Sequence, residues 1–156
     1  MSNTVKIKNY SDVMEEGVAN ATITPGMLIE QMSTGKYRAH STPGGNVLPM
    51  FAVEDELQGG LISDAYDADD PVQIWIPGKG DQVNALLANG ENAAIGNFLV
   101  SNGDGYLKVL DLQSADSDDA LAAIYGQQIV GAAVTAVDMS GASEVDPDGR
   151  IVVRII

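Results

Sequence analysis

Cysteine is absent from this chain of 156 residues, which excludes both a disulfide framework and thiol catalysis. Basic residues are scarce: 8 Lys and Arg stand against 22 Asp and Glu, for a formal net charge of -14. A field of that sign repels DNA, RNA and anionic lipid, so neither nucleic acid nor a membrane surface is an expected partner. Long apolar runs are missing as well, and none approaches the roughly 18–20 residues that span a bilayer. The first ten residues hold two lysines with no apolar stretch behind them, so no signal peptide is expected. Aromatic residues are few, at 5%, and there is one histidine, His40.

What is present is an ordinary globular complement, 45% hydrophobic with 17 glycines, at the size of one domain. The acidity has two readings. It keeps a protein soluble, or it matches the surface of a particular partner. Short apolar runs alternate with turn signals, the habit of an all-β, mainly antiparallel domain. The clearest runs are 18–23, 27–32, 48–53, 72–77, 82–88, 97–101, 106–110, 129–138 and 150–156. In the run around Trp75, Val72, Ile74 and Ile76 share one face while Gln73 and Trp75 share the other. The final run, from Ile151 to Ile156, is β-branched almost throughout and is expected to be tied into a sheet.

Turns punctuate these runs. Thr24-Pro25-Gly26 is a type II signature, with proline where φ near −65° is wanted and glycine where φ must be positive. Asn102-Gly103-Asp104-Gly105 is the strongest hairpin signal, and Asp146-Pro147-Asp148-Gly149 feeds the last strand. Pro43-Gly44-Gly45 and Pro77-Gly78-Lys79-Gly80 break the chain elsewhere. Two stretches invite a helix: a turn or so over 11–16, capped by Ser11 or Asp12, and a short helix over 115–126 stopped by Gly126. The organisation expected is an extended N-terminal arm over 1–16 followed by one β-rich domain over 17–156. The arm and the acidic stretch 54–70 are expected to be the least structured parts.

No catalytic constellation emerges. His40 has no second histidine or cysteine to complete a zinc site, and no Gly-x-Ser-x-Gly elbow presents a nucleophile to it. It reads as a loop or strand-end residue. Asp64, Asp67, Asp69 and Asp70 form the densest carboxylate cluster, but the glycine and glutamate spacing of a calcium-binding EF-hand is missing. A solvated acidic loop is the plainer reading; a calcium-dependent glycan-binding module is the alternative. The Lys79 loop lacks the spacing of a phosphate-binding P-loop. Met50, Phe51 and Trp75 suit either a partner interface or ordinary core packing. No cofactor or metal is expected, and a structural or binding role fits better than an enzyme.

An ordered series of segments resembles the capsid cement, or head-decoration, proteins of tailed bacteriophages. It begins with Ile23-Thr-Pro-Gly-Met-Leu-Ile-Glu30, Gly35-Lys-Tyr-Arg-Ala-His40 and Met50-Phe-Ala-Val-Glu-Asp-Glu-Leu-Gln-Gly59. It continues through Asp69-Asp-Pro-Val-Gln-Ile-Trp-Ile-Pro77, Asp81-Gln-Val-Asn-Ala-Leu-Leu-Ala88 and Ile95-Gly-Asn-Phe-Leu-Val100. It closes with Ile129-Val-Gly-Ala-Ala-Val-Thr-Ala-Val-Asp138 and Gly149-Arg-Ile-Val-Val-Arg154.

The resemblance implies a small β-barrel or β-tulip-like module on the outer surface of an expanded capsid. It would sit at capsomer junctions as a homotrimer, bound to the major capsid protein and to neighbouring copies of itself. The acidic stretch 54–70 and the insert 115–126 depart from the simplest members of that family. On this reading the N-terminal segment, with Val5, Ile7 and Tyr10 alternating with Lys6 and Lys8, adds as an edge strand to a capsid subunit; the alternative is a frayed tail. A tail or baseplate β-module is the other structural reading.

Overall fold

In the last strand, Ile151, Val153 and Ile155 are buried while Val152 and Arg154 point away, so period two decides which side faces the core. That strand organises the larger of the sheets in the computed structural model, which describes residues 3–10, 12–111, 126–141 and 149–156. Thirteen strands occur among those residues. They are β1 (Lys6–Lys8), β2 (Val13–Val18), β3 (Ile29–Gln31), β4 (Tyr37–Ala39), β5 (Phe51–Ala52), β6 (Pro71–Ile76) and β7 (Gln82–Leu86). The rest are β8 (Asn92–Ala93), β9 (Phe98–Ser101), β10 (Leu107–Val109), β11 (Gly131–Ala133), β12 (Val137–Asp138) and β13 (Arg150–Ile155). The fold is nearly all antiparallel β, and the helical content among the described residues is one 3-10 turn, Glu56–Gln58. The helix expected over 115–126 lies outside the described residues except for Gly126, and the turn expected over 146–149 does so except for Gly149.

The larger sheet runs β1-β7-β13-β11-β9-β10. Strand β13 is paired on both sides, Arg150–Arg154 against Leu86–Gln82 and Arg154 against Ala132. The sheet curls until β10 meets the chain just beyond β7, where Leu107 and Leu87 form an isolated bridge and Ala88 N–H donates to the Leu107 carbonyl at 2.8 Å. One bridge does not make a ladder, so the sheet stops short of the closed barrel that the family resemblance implied. Small two-stranded pairs, β3 with β4 and β12 with β8, flank it.

A second sheet, in the order β2-β6-β5, divides the interior. Strand β6 is covered on both faces. Trp75, with Phe51 of β5, packs into a core that includes Val5, Leu28, Val83, Leu99, Leu107, Ile151 and Val153. Val72 and Ile74 face a second core with Ile23, Ile29, Tyr37, Met50 and Ala52. The helical turn expected over 11–16 is replaced by β2, which pairs residue for residue with β6 from Val13↔Ile76 to Val18↔Pro71. Methionine and glutamate favour helix in isolation, but the pairing demand of β6 outweighs a preference of a few tenths of a kcal/mol per residue. The run 18–23 forms only isolated bridges, Ala19 with Tyr37 and Ile23 with Tyr66.

The turns follow their signatures. Met27 N–H closes onto the Thr24 carbonyl at 3.0 Å, with Gly26 at φ +94°. The 102–105 turn joins β9 to β10 in the register Leu107↔Ser101. The segment 54–70 is irregular yet tied down: Tyr66 is buried and its hydroxyl donates to the Val53 carbonyl at 2.6 Å. Burial, with the nearby charges of Asp55 and Glu54, pushes that phenol up to about 12.

Gly26 and Gly35 separate backbone strain from lack of room. Both have positive φ, but a Cβ at Gly35 meets open space, whereas at Gly26 it would overlap the Arg150 guanidinium and lie 3.0 Å from the Asn84 carbonyl oxygen. Urea unfolding should show Gly35→Ala losing about 1–2 kcal/mol and Gly26→Ala losing distinctly more. Equal losses would mean that Arg150 simply moves aside.

Candidate functional site

The N-terminal segment is held by its own chain. Strand β1 forms one edge of the larger sheet against β7, with a register irregularity between Lys6 and Lys8. Val5 is fully buried, and its N–H donates to both oxygens of the buried Glu54 carboxylate, at 3.2 and 3.1 Å. Arg150 contributes a nearby positive charge to the same place; burial pulls its guanidinium below the usual arginine range, and Glu54 opposes that pull. Lys6 pairs with Asp12 at 3.0 Å, and Lys8 lies over the Tyr10 ring at 5.2 Å. Ile7 is half-buried and Tyr10 is exposed, its N–H donating to the buried Asp81.

Val5, Phe51 and Trp75 come together, but in the larger core and not at a surface. Met50 belongs to the second core. Of the eight residues singled out in the sequence, the exposed surface belongs chiefly to Lys8 and Tyr10.

His40 is not a simple loop residue. It is almost fully buried, its Nδ1 lies 2.6 Å from Ser101 Oγ, and its Nε2 lies 3.8 Å from Glu30. Its backbone also donates to Leu28 and accepts from Gly105. Ser101 is equally buried and accepts from Gly103 N–H, so the serine and imidazole are shut away from solvent, with the partly exposed Glu30 carboxylate on their outer side. Their evident work is to clasp the β9–β10 turn to the β3–β4 pair. Glu30 is the hub, accepting from Arg38 Nε and Ser41 Oγ, each at 2.8 Å. Partial burial raises its pKa, but the bonds from Ser41 and Arg38 and the His40 ring outweigh that and hold it below the ordinary 4.5.

The aspartate-rich loop turns inward on itself. Asp64 accepts from Leu61 N–H, Asp70 accepts from Asp67 N–H, and Asp69 pairs with Lys36. Among the described residues no three carboxylate or histidine side chains converge as a metal site would require.

One surface has no counterpart among the sequence motifs. A cleft of about 430 Å³ opens beside β2, with Glu15, Glu30 and Tyr37 on its polar wall and Leu48, Met50 and Ile76 on its apolar side. Tyr37 reaches it because residue 17 is glycine: a Cβ there would overlap the tyrosine ring. The Tyr37 hydroxyl donates to Glu15 at 3.3 Å. The signal in the sequence is the pairing of two glutamates with apolar neighbours, but their convergence needs β2, β3 and β4 to be placed first.

No protein-family model matches the chain, and no curated protein matches its sequence. Among solved structures, the N-terminal base of the head fiber protein gp8.5 of bacteriophage phi29 is similar, with a TM-score of 0.54 at 12% identity. The match covers 94% of this chain and 95% of that one, so the likeness is one of whole folds.

The Glu30 hub predicts a pH dependence with a definite sign. Its folded pKa is depressed, so its contribution to stability is fully present above the unfolded value near 4.5 and is lost as pH falls through the lower folded value. Urea midpoints of the wild type should therefore exceed those of Glu30→Gln at pH 6, and the gap should close as the pH drops below 4.5. A gap that stays constant with pH would refute the charge-based role.

Proposed function

We propose that this chain is a structural component of a tailed-phage virion that binds the outside of the expanded capsid and stabilises it without catalysis. The observation that carries the reading is the whole-length likeness to the phage head fiber base, which agrees with the order of cement-like segments in the sequence. Fold alone does not assign function, so physical fit has to support it. An acidic chain of net charge -14 is poorly suited to a DNA-filled interior and well suited to the outer face of a shell. Two packed cores on either side of β6 suit a module that clamps between capsomers.

The partners in this reading are the major capsid protein and neighbouring copies, arranged as a homotrimer at capsomer junctions. Little affinity is needed from each copy, because many sites on one closed shell act together and binding favours the assembled state by mass action. A tail or baseplate location is the competing structural reading. The calcium-dependent glycan reading is not favoured, since Asp64 and Asp70 are occupied with their own backbone.

Co-sedimentation with expanded and unexpanded shells lacking this protein tests the proposal. The expected result is saturable binding to expanded shells alone, with a gain in resistance to heat or low salt. Binding to isolated tails, or to neither shell form, would overturn it.

A further inference from the structure

The outer edge of β2 joins no ladder among the described residues: it is met only at its C-terminal end, where Ala19 bridges Tyr37 of β4 and Asn20 N–H donates to the Tyr37 carbonyl at 2.7 Å, and the rest of the strand is mostly exposed. An unpaired edge offers a row of backbone donors and acceptors to another chain. Its side chains say what kind of chain fits. Asp12, Glu15 and Glu16 crowd this short stretch, and of the three only Asp12 has a cationic partner among the described residues, Lys6. Glu16 instead accepts from Gln73, and Glu15 from Tyr37.

A second copy of the same strand is a poor occupant. Antiparallel self-pairing through this edge opposes residues of the same face, so the registers centred on β2 set Glu15 opposite Glu15 or Glu16 opposite Glu16, and like charges directly across a ladder are destabilising. A strand carrying lysine or arginine has the opposite sign.

The cleft supplies a place for such a side chain. It adjoins β2 through Glu15, and its apolar side continues through Ile76 onto Val13, which lies opposite Ile76 in the ladder and is half exposed. Among the described residues no lysine or arginine lines it, and Arg38, outside it, pairs with one oxygen of Glu30. A long cationic side chain would lay its methylene stem along Leu48, Met50 and Ile76 and set its charged head beside Glu15 and Glu30. In strand addition, backbone bonds supply affinity and pockets for alternate side chains supply specificity; an open edge beside an acidic cleft has both parts.

We propose that the open edge of β2 and the adjoining Glu15–Glu30 cleft receive an extended, lysine- or arginine-bearing strand of another protein. This deepens the virion reading by naming the chemistry of the capsid segment that the protein grips, and it rests on that reading for the partner's identity.

The test uses two probes and two variants. The first probe is a synthetic octapeptide of alternating lysine and valine, read by amide chemical shifts of the full chain. The variants are Glu15→Lys and Glu56→Lys. The second makes the same charge change on the opposite face of the β2-β6-β5 sheet, where Glu56 shares a shallow pocket with Met14 and Gln73. Shifts should concentrate on 13–17, Glu30, Tyr37 and Leu48. Affinity should fall about tenfold or more in Glu15→Lys, with a much smaller change in Glu56→Lys. Equal losses in the two variants, or shifts centred elsewhere, would overturn the site.

The second probe is the expanded shell. Wild-type binding that Glu15→Lys abolishes and Glu56→Lys retains supports the full proposal. Wild-type binding that Glu15→Lys leaves unchanged overturns it while the virion reading stands. If the wild type ignores the shell, the virion reading fails and the peptide mapping alone decides the site. Retained thermal unfolding in each variant excludes misfolding as the cause.

Discussion

Strand β6 must be covered on both faces at once, and most of the architecture answers that demand. Trp75 turns one way into the larger core and Val72 and Ile74 turn the other way into the second. Neither face can be left wet: an aromatic side chain of this size loses about 3–5 kcal/mol when its buried volume is emptied. Strands β2 and β5 close the two edges of β6, and the curled sheet around β13 supplies the far wall for Trp75. The Glu54 carboxylate sits at the rim of that core just after β5, where Val5 N–H and the charge of Arg150 compensate it. A buried carboxylate without such company would cost several kcal/mol, so the N-terminal segment and β13 are linked through one residue.

On the proposed reading, function comes from what this frame leaves uncovered. With β6 satisfied inside, β2 is left with one paired edge and one open edge, and its acids line that open edge. The same acids that keep β2 from pairing with another copy select for a basic strand. A shell-binding role asks for stiffness and for many modest contacts, and it requires no reactive group. The buried histidine cluster is consistent with that economy: it holds two turns together, away from solvent.

Strands with a buried face are legible in the sequence, most clearly β13 with its alternation. The runs that form β6, β7, β9, β10 and β13 bury one face or both, so their periodicity records their environment. Strand β2 is not legible, because an exposed edge strand has no core face to impose alternation and its Met and Glu residues favour helix locally. The run 129–138 reads as one strand but breaks into β11 and β12: Val134 N–H still bonds the Val152 carbonyl of β13, but Val152 N–H turns to the Thr135 hydroxyl, and the ladder ends there. His40 reads as peripheral because its partner Ser101 is 61 residues away. Phe51 and Trp75 carry a compositional signal that interface and core share, and burial resolves which applies within the chain.

The most direct test of the proposed capsid grip is a cryo-EM reconstruction of expanded shells decorated with the full chain, compared with bare shells. The expected result is added density on the outer surface at capsomer junctions, fitted by this fold with the β2 edge turned toward a basic segment of the capsid protein. Added density that places β2 in solvent would contradict the grip. The absence of added density on the shell would contradict the virion role itself.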